Sequence, residues 1–163
     1  MEYTIRNAVP GDLARIEEIY AFARAFMAKN GNPNQWGKTN PPRDLLVEDI
    51  KREQLYVITD VTGIHGVFYF RIGEDPTYGR IEDGAWHYDA PYGTIHRIAS
   101  DGSGGILRTA VEFCAEKCDH IRIDTHHDNN VMQKAVAKLG FERSGIIRLA
   151  NGSPRIAYEL TVK

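Results

Sequence analysis

The sequence predicts a single-domain α/β fold, a mixed and mostly antiparallel sheet flanked by helices, and it does so on three observations. Apolar residues alternate between a period of two and steps of three and four along the chain, the marks of strand and helix. A glycine-rich stretch, Gly102-Ser103-Gly104-Gly105, lies between a strand-like and a helix-like segment. Near the end, Asn151-Gly152 joins two apolar runs as a hairpin turn does. The 163 residues suffice for one core and are too few for two ordinary domains, so one domain over 1–163 with one active site is expected.

Taken in order, residues 3–8 alternate as a strand, and Pro10-Gly11-Asp12 opens an amphipathic helix over 13–28 carried by Leu13, Ile16, Ile19, Tyr20 and Ala23. Residues 29–43 are dense in helix breakers and form a loop around one large aromatic, Trp36, which either lines a substrate mouth or plugs the gap between the first two helices. A short helix over 45–51 precedes strands over 55–59 and 63–72, joined by a tight turn at Asp60-Val61-Thr62-Gly63. The loop over 73–91 holds Tyr78, Trp86, His87 and Tyr88, aromatics that either face a ligand or pack the loop down. Tyr92, at its end, joins Trp36 as a candidate substrate contact. A strand over 93–99, the glycine loop, a helix, a strand, a second helix and a closing antiparallel pair over 146–149 and 155–160 follow. In a type I′ turn both Asn151 and Gly152 take positive φ.

Composition excludes several function classes. With 42% hydrophobic and 26% charged residues, no stretch approaches the roughly 20 apolar residues of a membrane span. A formal charge of -2 offers no basic field for nucleic acid. Cys114 and Cys118 suit neither a disulfide framework nor a zinc site and read as buried thiols of a cytoplasmic protein. The N-terminal residues lack a secretory pattern, so the mature protein is expected to begin at Met1.

The chemistry concentrates in residues 94–141. A helix N-terminus offers unpaired N–H groups, and glycines let that backbone close on a phosphate. A Walker A loop would end in Gly-Lys-Ser/Thr, whereas the sequence has Gly105-Ile106-Leu107. Asp124 stands where a dinucleotide-binding fold places its acidic residue, and the next segment argues against that fold. There a strand ends in His126-His127-Asp128-Asn129, a capped helix follows, and Leu139-Gly140-Phe141 stops it.

This order, strand, glycine loop, helix, strand, Asn-capped helix, Gly-Phe, strand, resembles the GCN5-related N-acetyltransferase (GNAT) family over most of the chain. The resemblance implies a sheet splayed between two central strands and acetyl-coenzyme A as acyl donor. It further implies pantetheine contacts from the backbone of Ile98, Ala99 and Ser100, and from Asn129. Pyrophosphate contacts would come from the amides of Gly102, Ser103, Gly104, Gly105 and Ile106. The acceptor would be an amine, either a small molecule or a protein N-terminus or lysine; no metal, membrane or nucleic acid is expected, and a homodimer is left open. Two positions depart from the family: its Gln/Arg-x-x-Gly-x-Gly/Ala loop fits in neither alignment, and Val136 occupies the place where many members carry a tyrosine acid.

Acetyl transfer to an ammonium needs a base and an acid. His96 is the candidate base: with a period of two it shares a face with Thr94 and Ile98 toward the slot, while Ile95 and Arg97 point away and Arg97 pairs with an acid. Tyr158 is the candidate acid, with water as the other proton source. His126 and His127, adjacent on a strand, are expected on opposite faces and so not to chelate one ion. A non-catalytic binder of acyl-coenzyme A is the alternative reading, and a scaffold that keeps only the fold is a third.

Overall fold

The computed structural model describes residues 2–162; Met1 and Lys163, the ends of the expected domain, lie outside the described residues. One seven-stranded sheet runs in the order β1-β2-β3-β4-β5-β7-β6. Its strands are β1 Thr4–Asn7, β2 Leu55–Asp60, β3 Gly63–Ile72, β4 Gly93–Ser100, β5 His120–Thr125, β6 Glu142–Arg148 and β7 Pro154–Thr161. The helices are α1 Leu13–Lys29, α2 Arg43–Lys51, α3 Ile106–Ala115 and α4 Asn130–Lys138. Every neighbouring pair is antiparallel except β4 with β5. The fold class and the element order are those the sequence predicts.

Strand alternation sends successive side chains to two cores. Val57, Val67 and Ala99 face Ile16, Ile19 and Tyr20 of α1 and Leu46 and Ile50 of α2. Ile58, Phe68 and Ile95 face Ile106 and Ala110 of α3 and Val136 of α4. Asn129 caps α4 by accepting from the Met132 N–H at 3.0 Å. The helix ends with Gly140 at φ 99°, its N–H on the Ala137 carbonyl at 3.0 Å and that of Phe141 on the Val136 carbonyl at 3.1 Å. Glycine suits this stop because an L side chain resists positive φ.

The strict period of two fails in β4. Val67 pairs with Ala99 but Tyr69 pairs with His96, so β4 carries one extra residue, and Arg97 takes φ 53°. Ile98 therefore rejoins Ile95 on the α3 face, not His96. Arg97 is turned to the same side as His96: its guanidinium lies 4.5 Å from the Tyr69 ring centroid, and Tyr69 also neighbours the His96 ring at 5.6 Å. The expected acid partner of Arg97 is Asp49, held at 3.1 Å by Nε and 2.8 Å by Nη2, and the Arg97 carbonyl accepts from Tyr20 Oη at 2.6 Å.

Two smaller expectations are corrected. The last hairpin turns through Ala150, Asn151 and Gly152, with only Gly152 at positive φ (85°), and closes by Gly152 N–H to Leu149 O at 2.8 Å and Leu149 N–H to Ser153 O at 2.9 Å. That is a three-residue loop with a glycine bulge, not a type I′ turn, because Asn151 Oδ1 is spent on the Ser153 N–H at 2.9 Å. Cys114 is buried as expected, but Cys118 lies past the end of α3 and is half-buried.

Removing Asp49 should free the bulge. Burial lifts its carboxyl above the usual range despite Arg97, so the pair is held by geometry more than by raw attraction. Asp49→Ala is expected to lower stability by about 1–3 kcal/mol in urea unfolding at unchanged m. An unmoved midpoint would show that Arg97 needs no partner.

Candidate active site

β4 and β5 pair only at Gly93 with Ile121 and Thr94 with Arg122. Beyond Thr94 they part, although β5 stays paired with β7 from His120 to Thr125 and β4 with β3 up to Ser100. The edge of β4 from Ile95 onward thus faces a gap in the middle of the sheet, as the splay expected from the sequence requires. The gap opens into a cavity of about 300 Å³ lined by Ile95, His96 and Ile98 of β4 and Ile123 and Asp124 of β5, with Trp36 over its mouth. A larger cavity of about 970 Å³ lies around Arg122 under the 73–92 loop and does not include His96. We place the site in the smaller one, where unpaired backbone, an imidazole and carboxylates meet.

His96 stands between two acids. Its Nε2 lies 2.8 Å from Asp75 Oδ2 and its Nδ1 3.7 Å from Asp124 Oδ2. The Asp75 carboxyl is pushed down to about 2: burial would raise it, but the hydrogen bond and charge of His96, with Thr77, outweigh that. An ionised Asp75 can only accept, so a neutral His96 donates from Nε2 and keeps its lone pair on Nδ1, facing Asp124. Asp124 Oδ2 in turn accepts from Tyr78 Oη at 2.6 Å, and burial together with Asp124 raises the Tyr78 phenol well above its ordinary range. A base lone pair beside a carboxylate suits an incoming ammonium.

Trp36 packs edge-on to Tyr20 of α1 with centroids 5.5 Å apart and also lines the cavity. Tyr92 lies in the larger cavity, buried, with its hydroxyl accepting from the Asp75 N–H at 2.8 Å. Tyr158 is buried in the α3/α4 core, in the same cluster as Val136, and its phenol is raised by burial. Asn129 is spent on its cap and on Gln35, whose Oε1 it meets from Nδ2 at 3.0 Å. In the glycine loop, Gly102 N–H donates to Ser100 Oγ and Ser103 N–H to Asp101 Oδ1, each at 3.0 Å. Among the described residues, no acceptor pairs with the N–H groups of Gly104 or Gly105.

Sequence reasoning missed Asp75, Gln35 and Arg155; it weighed Tyr78 only as a loop aromatic that faces a ligand or packs the loop, and Asp124 only as the acid of a dinucleotide-binding fold that it rejected. The one local hint was Asp75-Pro76-Thr77, where Asp75 caps a short 3₁₀ turn through the Thr77 N–H at 2.9 Å. The expectation that His126 and His127 point apart is wrong. β5 ends at Thr125, so they lie beyond the strand, and their rings stack with centroids 4.3 Å apart. With Asp128 they bring ligand atoms within 4.8 Å of one another, but His126 Nδ1 already accepts the Asp128 N–H at 3.0 Å.

No protein-family model and no curated protein matches the chain. Solved structures do. A GNAT-family acetyltransferase from Streptococcus agalactiae is 29% identical with a TM-score of 0.89, covering 99% of this chain and 96% of that one. A GNAT-family acetyltransferase from Listeria monocytogenes is 17% identical with a TM-score of 0.72, over 99% and 96% of the two chains. A GNAT phosphinothricin acetyltransferase from Sinorhizobium meliloti, in complex with AcCoA, is 18% identical with a TM-score of 0.66, over 99% and 89%. From end to end the chain thus resembles GCN5-related N-acetyltransferases and has their fold.

Proposed function

We propose that residues 1–163 form one acyltransferase domain that moves the acetyl group of acetyl-coenzyme A to a primary amine. The observation that carries this is the parting of β4 and β5 with His96, Asp75 and Asp124 beside the gap. An unpaired strand edge offers alternating N–H and C=O groups to an extended amide chain, which is what pantetheine is. Ile98, Ala99 and Ser100 supply that edge. The free amides of Gly104 and Gly105, at the N-terminus of α3, suit the pyrophosphate.

In the step itself the amine nitrogen attacks the thioester carbonyl carbon, the C–S bond breaks, and the thiolate departs. His96 Nδ1 takes the ammonium proton, directly or through one water, and Asp75 holds the ring in the tautomer that leaves Nδ1 free. Asp124 draws the ammonium in. We assign thiolate protonation to Tyr158, whose phenol stays neutral in its buried place near Val136. Trp36 walls the acceptor, and Tyr92 fixes the Asp75 backbone. Among the described residues no helix is long and apolar enough to cross a membrane.

Thiol release from acetyl-coenzyme A across an amine panel tests the reading; binding heat in calorimetry with no thiol release for any amine would favour the non-catalytic binder. His96→Ala is expected to lower turnover by about 10²- to 10⁴-fold with cofactor affinity nearly intact. Turnover within a few-fold of wild type would put the base elsewhere. Gly105→Glu is expected to abolish most acetyl-coenzyme A binding in a folded protein, since it sets a carboxylate beside the free amides and a side chain at φ 79°. Unchanged affinity would remove the loop from the site.

Asp75 gives a pH test. Its folded carboxyl, lying below the unfolded value, contributes stability present above the unfolded pKa and lost as pH falls through the folded one. From about pH 5 down to about pH 2 the wild type should shed roughly 2 kcal/mol that Asp75→Asn does not. Parallel acid limbs for the two proteins, in urea unfolding at each pH, would show that the His96 contact does not stabilise the fold.

A further inference from the structure

One cation lining the cavity has no carboxylate in contact with it. Arg97 is matched by Asp49, and His96 by Asp75 and Asp124. Arg155 of β7 also lines the cavity and is 6% exposed, yet among the described residues no carboxylate lies within ion-pairing distance of it. Its Nη1 meets Ser153 Oγ at 2.6 Å and Pro154 O at 2.9 Å, and its Nη2 meets Gln35 O at 3.1 Å. Its Nε–H has no acceptor among the described residues. The other buried arginine, Arg122, has Glu159 at 3.8 Å. Asp124 acts on Arg155 only from beyond contact distance and does not offset its burial, and a guanidinium is shaped to take a carboxylate on two donors.

Strand register fixes where Arg155 stands relative to the base. Asp124 pairs with Ala157, so Arg155, two residues along, shares the face of Asp124 as its diagonal neighbour. Diagonal side chains start about 7–8 Å apart. The nitrogen and carboxylate of an α-amino acid are joined through one carbon, about 3 Å end to end, and each reaches a partner about 3 Å further. Met27, Trp36, Leu45 and Leu149 provide an apolar wall beside this pair. The cavity, about 300 Å³, suits a small molecule rather than a polypeptide.

We propose that the acceptor is a free α-amino acid with a mid-sized apolar side chain, its ammonium on Asp124 and His96 and its carboxylate on Arg155. The inference rests on the acyl-transfer reading above. Acetyl transfer then forms the N–C bond of an N-acetylamino acid, breaks the C–S bond and releases coenzyme A as the thiol, with the ammonium protons passing through His96. Peptide N-termini, lysine side chains and decarboxylated amines lack the carboxylate that Arg155 calls for.

Three acceptors separate the possibilities in thiol-release kinetics: L-leucine, L-leucinamide and 3-methylbutylamine. L-Leucine is expected to lead in kcat/KM by roughly 10- to 100-fold, the range for losing a charge-assisted contact. Arg155→Gln should bring the leucine-to-leucinamide ratio toward one, chiefly through KM, and Arg155→Lys should restore part of it. The wild-type comparison needs no variant to fold. If the amide or the plain amine is used as well as the acid, or if Arg155→Gln slows all three alike, the amino-acid assignment falls while acyl transfer stands. If no amine releases thiol although acetyl-coenzyme A binds, acyl transfer itself falls and takes the assignment with it.

Discussion

β4 and β5 lie side by side in the middle of the sheet yet exchange hydrogen bonds only at Gly93 and Thr94, and the site depends on that short pairing. Parting two strands leaves backbone donors and acceptors without partners, which a protein interior tolerates only at a cost. Here the cost is met by geometry fixed from outside the gap. The extra residue in β4 puts Arg97 at φ 53°, a conformation a non-glycine residue adopts at a penalty of order 1–3 kcal/mol. Tyr20 of α1 and Asp49 of α2 grip Arg97 by its carbonyl and its guanidinium. The helices on one face of the sheet therefore hold open a slot that faces the other strands, and α1 and α2 serve the site without lending it a catalytic group.

The helices and most strands were legible because their periodicity is local. Ile16, Ile19 and Tyr20 of α1 are buried where the spacing puts them, and the stop at Gly140 follows from the sequence of three residues. What was not legible is set by partners far along the chain. The bulge at Arg97 is enforced by Tyr20 and Asp49, separated from it by 77 and 48 positions. Asp75 reaches His96 across 21 positions and Tyr78 reaches Asp124 across 46. A single sequence marks such pairs only as ordinary acids and aromatics in a loop. His126 and His127 were misjudged for a simpler reason: the argument from alternation holds only inside a strand, and β5 ends one residue before them.

Gln35 shows how a polar loop can be positioned by the site it covers. Its side-chain oxygen gathers Asn32 Nδ2 at 2.9 Å, Asn129 Nδ2 at 3.0 Å and Thr125 Oγ1 at 3.3 Å, while its carbonyl takes Arg155 Nη2 at 3.1 Å. The 29–43 loop is thereby tied to the end of β5, the cap of α4 and the start of β7. Trp36 follows it over the cavity. A loop rich in helix breakers would be mobile alone, and these contacts give it one resting place beside the cavity.

The same logic resolves an apparent contradiction in the glycine loop, which holds a carboxylate, Asp101, where an anionic ligand is to sit. Arg15 Nη2 and His65 Nδ1 both lie 2.8 Å from Asp101 Oδ2, while Oδ1 accepts the Ser103 N–H. Asp60 reaches the far side of the His65 ring at 2.8 Å, and Asp101 chiefly, with Asp60, raises the imidazole above its ordinary range. The negative charge of Asp101 is thus turned toward cations of α1 and β3, not toward the mouth of α3. Its role in the loop is to consume one N–H, as Ser100 consumes that of Gly102, which leaves the outward amides to begin at Gly104. Those amides lie at the first turn of α3, where the helix dipole favours an anion, so the phosphate role proposed for the loop rests on which of its donors it keeps free.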